Sequence, residues 1–285
     1  LALEQRHALP DRYKLLEVSA DLRERQRAHL AQRCPHLLER IDWPDGPPPE
    51  SWQGALIANE VIDALPATRF VLREDGFYEL YVSGGPGEFI WTELPAPPSL
   101  TENLSARLAD CIGDLPRPYR SEVHTTLGPW LAAMTDRLQR GIALIVDYGY
   151  PRAEYYRPER RDGTLVCHYR HHAHDDPLIL AGLQDITAFV DFTALAESAM
   201  VCGLDVAGYT SQAQFLIGND IESYLQSAEN LPFADRLRVV DAVKKLMLPG
   251  EMGERFQVMA LSRGIEDEAI PGFFHDLRYR LLPRS

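Results

Sequence analysis

The apolar positions of this chain fall into short unbroken runs separated by longer amphipathic stretches. Ala55, Leu56, Ile57 and Ala58 form one run, with Gly54 before it and Asn59-Glu60 after it. Ile142, Ala143, Leu144, Ile145 and Val146 form a second and clearer one. Continuous runs of this length predict strands covered on both faces, as in a parallel sheet. Further strands are expected over 13–18, within 37–43, over 204–209 and over 256–261. Helical spacing predicts a helix over 20–30 with Ser19 as its N-cap. It also predicts helices over 100–111 and over 121–139, the latter on Val123, Leu127, Trp130, Leu131, Met134 and Leu138, with Gly141 ending it. Asp191 or Thr193 is expected to cap a helix reaching Cys202, and shorter helices follow over 211–217, 221–227 and 233–248. Residues 70–72 and 77–82 flank Asp75-Gly76, a hairpin signal.

The alternation of helix and apolar strand predicts an α/β fold, a parallel sheet with helices on both faces. The chain divides into a core (1–66 and 120–150), a β-rich and helical insertion (67–119), a crossing segment (151–191) and a C-terminal core part (192–285).

Polar residues cluster where strands should end. Asn59, Glu60 and Asp63 follow one strand, and Asp147 and Tyr148 follow another. In an open α/β sheet, ligands bind in the crevice beyond the carboxyl ends of the strands. Glu17 ends an earlier strand, where a carboxylate can accept from both hydroxyls of a ribose. Asp42 and Trp43 end the next, a place for an adenine amino group and a ring. No glycine-rich loop precedes the Glu17 strand, so the residues alone do not separate NAD from another adenosine cofactor.

Charge and composition narrow the classes. The formal net charge of −13 and the lack of a Lys/Arg run argue against a general nucleic-acid binder. An acidic surface instead suits a small ligand or a basic peptide. Four widely spaced cysteines match neither a zinc pattern nor a dense disulfide framework. No apolar stretch reaches 18 residues, so no membrane span is expected. His168, His171, His172, His174, Asp175 and Asp176 lack the spacing of a zinc site and read as turn and surface residues, so no metal is assigned. Neither a GxSxG elbow nor a P-loop is present.

The stretch Asn59-Glu60-Val61-Ile62-Asp63-Ala64-Leu65-Pro66 resembles a motif of the MidA-like family of S-adenosylmethionine-dependent methyltransferases, which includes a mitochondrial protein arginine methyltransferase. Tyr13 through Ser19 with Leu22-Arg23-Glu24-Arg25-Gln26 is similar to the family's second strand and following helix. Ile145 through Tyr150 is similar to its fifth-strand motif. Gly163-Thr164-Leu165, Tyr169-Arg170-His171-His172, Gly182 through Thr187 and Val190 through Thr193 resemble its crossing segment, and Met252 through Phe256 the entry to its last strand.

The resemblance implies a Rossmann-like class I methyltransferase sheet with a β-rich insertion. It implies S-adenosyl-L-methionine as cofactor, held by Glu17, Ser19, Asp42, Asn59 and Glu60. It implies methyl transfer to a protein arginine, with Glu60, Asp63 and Asp147 as catalytic carboxylates and Tyr148, Tyr169, His171 and Asp185 along the substrate wall. The other readings are a non-catalytic assembly protein on this fold and an NAD-dependent oxidoreductase. The family's first strand and glycine-rich loop have no counterpart here, so a longer protein is expected to supply them. Ala188 stands where the family leads one to expect a histidine. A bacterial-type protein of this kind would be cytoplasmic and a eukaryotic one would sit in the mitochondrial matrix; a homodimer is left open.

Overall fold

The computed structural model describes residues 2–85, 88–170, 172–265 and 269–282. In chain order the strands begin with β1 (Tyr13–Lys14), β2 (Ile41–Asp42), β3 (Trp52–Asn59), β4 (Thr68–Arg73), β5 (Gly76–Gly85), β6 (Glu88–Pro95) and β7 (Tyr119–Val123). They continue with β8 (Leu138–Tyr150), β9 (Val166–Tyr169), β10 (His172–His174), β11 (Asp185–Thr187), β12 (Val190–Asp191), β13 (Asp205–Ser211) and β14 (Phe256–Arg263). The helices are α1 (Ala2–Gln5), α2 (Ala20–Arg33), α3 (Pro98–Arg107), α4 (Leu127–Thr135), α5 (Arg152–Tyr155), α6 (Phe192–Val201), α7 (Gln212–Gly218), α8 (Ile221–Ser227), α9 (Phe233–Met247) and α10 (Met252–Arg255).

The strand β8 is the axis of the main sheet. Along one side it pairs in parallel with β3 and, beyond the end of β3, with β12. Along the other side it pairs antiparallel with β14, which pairs antiparallel with β13. The sheet is therefore mixed rather than all parallel, because the last strand of the chain inserts between β8 and β13. Its alternation buries both faces of β8. Ala143 and Ile145 pack with Ile62, Leu131 and Phe192 on one side. Ile142, Leu144 and Val146 pack with Val258, Ala260 and Phe273 on the other. Gly141 lies inside β8, where it was expected to end a helix. A Cβ there would meet the Gly54 carbonyl oxygen at 2.0 Å, so the close approach of β3 requires glycine.

The expected cover on both faces of residues 55–58 is not found. Only Ala58 is buried in that run, and Ile57 is 68% exposed. Among the described residues β3 pairs with β8 alone, and β1 and β2 form a separate parallel pair. The expected strand over 13–18 shortens to β1, since its only partner, β2, is itself two residues long. Most of 37–43 is 3₁₀ helix over Pro35–Arg40.

Residues 121–139 divide where one helix was expected. Tyr119–Val123 is a strand paired with β4, α4 follows, and Leu138 already opens β8. The four-stranded sheet β6-β5-β4-β7 thus takes in residues up to 123 and packs over α3 through Phe70, Leu72, Leu104, Leu108 and Tyr119. Its attachment to the core is ionic as well as apolar. Asp191 caps α6 through the Ala194 N–H at 3.0 Å and also pairs with Arg107 of α3 at 2.7 Å and Arg152 at 3.3 Å. The crossing segment forms a small antiparallel sheet, β10-β9-β11. No helix of the described residues is long and apolar enough to cross a membrane.

The burial contrast along the β3–β8 pair is testable. Ile145→Ala should cost about 2–5 kcal/mol through the cavity it leaves. Ile57→Ala on the exposed edge should change stability by less than about 0.5 kcal/mol. Urea denaturation of both variants measures the difference.

Candidate active site

The register of β3 and β8 sets the end of β3 beside Val146, four residues before β8 ends. Asn59 lies opposite Val146, so Glu60 leaves β3 beside Asp147, which continues in β8 paired with Gln257 of β14. The Glu60 N–H still donates to the Val146 carbonyl at 2.9 Å, and the backbone then turns sharply, with Glu60 at φ +51°. That left-handed conformation is costly for a residue with a Cβ, and such strain clusters at functional sites. The Glu60 side chain is exposed and accepts from Asn59 Nδ2 at 3.2 Å.

Asp147 sits differently. Side-chain alternation puts it on the Ala143 and Ile145 face, fully buried beneath the turn. Its Oδ2 accepts from the N–H groups of Val61, Ile62 and Asp63 at 3.3, 3.0 and 3.3 Å, and its Oδ1 from the Tyr148 N–H at 3.0 Å. Asp147 is expected in the crevice as a catalytic carboxylate. The structure commits its oxygens to backbone donors, where it shapes the turn that carries Glu60. Asp63 is buried too. Tyr148 Oη donates to its Oδ2, while its Oδ1 has no hydrogen-bond partner. The Tyr148 ring is held between Phe189 and Phe256, at centroid distances of 5.3 and 5.0 Å. Burial, and next the charge of Asp63, push the Asp147 carboxyl up to about 7 against the pull of its backbone donors. Burial raises the Asp63 pKa as well.

The ends of β1 and β2 make a second polar group. Lys14 lies opposite Asp42, and the Leu15 N–H donates to the Asp42 carbonyl at 2.9 Å. Glu17, half-buried, accepts from the Ser19 N–H at 2.8 Å and from Gln26 Nε2 at 3.3 Å. A carboxylate offers about four lone-pair sites, so two remain for a vicinal diol. The residues present therefore fit an adenosine ribose at Glu17. Ser19 Oγ accepts from the Leu22 N–H at 3.3 Å and so serves as the cap of α2. Asp42 stands 3.8 Å from Arg12, both exposed.

Tyr169 and Asp185 are carried by the small sheet rather than by the main strand ends, on β9 and on its neighbour β11. His171 lies outside the described residues. Ala188, just past β11, is buried, and its N–H donates to the Asp63 carbonyl at 3.1 Å. Among the described residues, no three His, Cys, Asp or Glu side chains could together hold a metal ion. Gln26 joins the group at Glu17 without a signal in the sequence beyond its helical spacing from the Ser19 cap.

The buried carboxylates predict a pH dependence. Asp147 holds its proton more tightly in the folded protein, up to about 7 against an ordinary 3.8. Its contribution therefore costs the fold stability as pH rises from near 4 to near 7, and then levels off. Asp147→Asn should flatten that part of the profile in urea unfolding measured across pH. An unchanged slope would place the titrating proton elsewhere.

A family model described as "Putative S-adenosyl-L-methionine-dependent methyltransferase" matches residues 3–210. The mitochondrial protein arginine methyltransferase NDUFAF7 of Danio rerio is 30% identical over 219 residues, which cover 72% of this chain and 46% of that protein. The Homo sapiens protein of the same name is 30% identical over 215 residues, 72% of this chain and 44% of that one. The chain thus spans about half the length of the curated relatives it matches. An uncharacterized protein from Burkholderia thailandensis superposes with a TM-score of 0.88 at 38% identity, over 96% of this chain and 72% of that one. A second structure from that organism, bound to S-adenosyl-homocysteine, gives 0.87 and 38% over 96% of this chain and 70% of that one. With the family match over most of its length and 38% identity to a solved structure, this chain belongs to the MidA-like family of S-adenosyl-L-methionine-dependent methyltransferases.

Proposed function

We propose that the protein carrying this chain transfers a methyl group to an arginine guanidinium of a protein substrate, with Glu60 as the group that holds and deprotonates the acceptor. The observation that carries this reading is the placement of Glu60. It is an exposed carboxylate on a left-handed residue, just past the end of β3 beside Asp147 of the longest strand, and braced by Asn59. Bound at these strand ends, S-adenosyl-L-methionine supplies an electrophilic methyl group on a sulfonium.

The chain's own residues would divide the work. Glu17 accepts from the ribose hydroxyls through the lone pairs left by Ser19 and Gln26, and Asp42 lies toward the adenine. Glu60 pairs with the planar guanidinium, whose fork of donors matches a carboxylate. That pairing fixes the orientation of the attacking nitrogen. A protonated guanidinium, with a pKa above about 12, is a poor nucleophile. Glu60 therefore takes the proton that the nitrogen gives up as its new N–C bond forms. Asp147, Asp63 and Tyr148 hold the turn beneath Glu60, so that its carboxylate is presented in one direction. Tyr169 and Asp185 on the small sheet offer an aromatic face and a further carboxylate to a basic peptide. The net charge of −13 favours the approach of such a substrate. The arginine methyltransferase names of the curated relatives support the choice of acceptor.

In full-length protein, Glu60→Gln should lower isotopic methyl transfer to a proteome by about 100-fold or more, with S-adenosylhomocysteine binding kept. Transfer at the original rate would remove Glu60 from the reaction, and label recovered on a residue other than arginine would overturn the choice of acceptor. Glu60→Gly should also stabilise the fold by about 1 kcal/mol by releasing the left-handed strain, read as a higher denaturation midpoint.

A further inference from the structure

The helix α2 has no buried residue, so polar ties rather than apolar packing hold it against the ends of β1 and β2. Arg23 supplies two backbone ties and one ion pair. Its Nε donates to the Glu17 carbonyl at 2.5 Å, its Nη2 to the Pro44 carbonyl at 3.4 Å, and its Nη1 to Asp45 at 2.6 Å. One turn further along, Gln26 reaches only side chains. Its Nε2 donates to Glu17 Oε2 at 3.3 Å, and its Oε1 accepts from Trp43 Nε1 at 2.9 Å. Arg27 lies over the Trp43 ring, 4.9 Å from its centroid.

The chemistry of this chain of bonds is one-directional. An indole N–H only donates, and an ionised carboxylate only accepts. A primary amide does both, so Gln26 satisfies its two neighbours in one orientation; flipping the amide would lose both bonds. A carboxylate at position 26 would confront Glu17 with a like charge, and an aliphatic side chain would leave Glu17 and Trp43 without this partner. Of the two oxygens of Glu17, Oε1 is fixed by the Ser19 N–H and Oε2 by Gln26. Their remaining lone pairs therefore point in set directions.

We propose that Gln26 is a positioning residue for the adenosine site: it locks the Glu17 carboxylate to Trp43, so that both Glu17 oxygens are preset for a vicinal ribose diol. This rests on the reading of the strand ends as an adenosine site given above. Gln26 acts through Glu17 and touches no ligand atom itself. Its effect should therefore appear as lost discrimination between ribose and deoxyribose rather than as a general loss of affinity.

The test is calorimetric titration of full-length protein with S-adenosylhomocysteine and with its 2′-deoxyribose counterpart. Wild type should prefer the ribose form by about tenfold, the effect of one hydrogen bond to a charged group. Gln26→Leu should weaken binding of the ribose form by roughly tenfold and leave the deoxy form nearly unchanged, which erases the preference. Glu17→Gln should erase it too, and the double variant should add nothing further. Trp43→Phe keeps the ring and removes only the N–H, so it decides the question if Gln26→Leu fails to fold; it should cut the preference by about threefold. A variant that keeps the wild-type preference, or that loses both ligands in equal measure, overturns the positioning role and leaves the adenosine site standing. Wild type that binds both forms equally overturns the placement of Glu17 on the diol. Wild type that binds neither overturns the adenosine reading itself, and this inference with it.

Discussion

A buried carboxylate under a turn is the constraint on which the site depends. Three successive N–H groups after β3 have no strand partner, and Asp147 accepts from all of them. Without that acceptor the turn would bury unpaired donors, at a cost of about 1–3 kcal/mol each. The turn in turn fixes Glu60 in a conformation it would not choose by itself. A group kept from solvent by the core thus decides the direction in which an exposed carboxylate faces.

The two polar groups, at Asp147 and at Glu17, are built on different physics. Around Asp147, aromatic packing and the main core supply rigidity, with Tyr148 wedged between Phe189 and Phe256. Around Glu17, α2 contributes nothing to the core and order comes from directed hydrogen bonds to Arg23 and Gln26. Polar ties of this kind fix orientation more than they add stability, since the net gain of each is small in water.

Much of the frame was legible from local signals. Ser19 and Asp191 each cap the helix they precede, because capping depends on a residue and its next few neighbours. The β8 run and the Asp75-Gly76 hairpin carried comparably local patterns. What the sequence hid is non-local. Val123, Leu127, Trp130 and Leu131 keep helical spacing across a true strand-to-helix boundary, and only pairing with β4 makes 119–123 a strand. The exposure of Ile57 follows from which strands lie beside β3, not from its own run. Glu60, Asp63 and Asp147 were visible as a cluster of acids. Their different surroundings were not, because side-chain parity in β8 and the path of the turn sort them into exposed and buried. Gln26 was hidden for the same reason: its two partners lie 9 and 17 residues away.

The length of β8 has a mechanical consequence. It outruns β3 by four residues, from Asp147 to Tyr150, and this overhang is where β12 docks. Just before β12, the Ala188 N–H is bonded to the Asp63 carbonyl. The segment that brings Tyr169 and Asp185 past the strand ends is therefore fastened at one point to the turn bearing Glu60 and at the next to the strand beneath it. The small sheet and the turn bearing Glu60 are thus tied through two adjoining backbone attachments rather than through side chains alone.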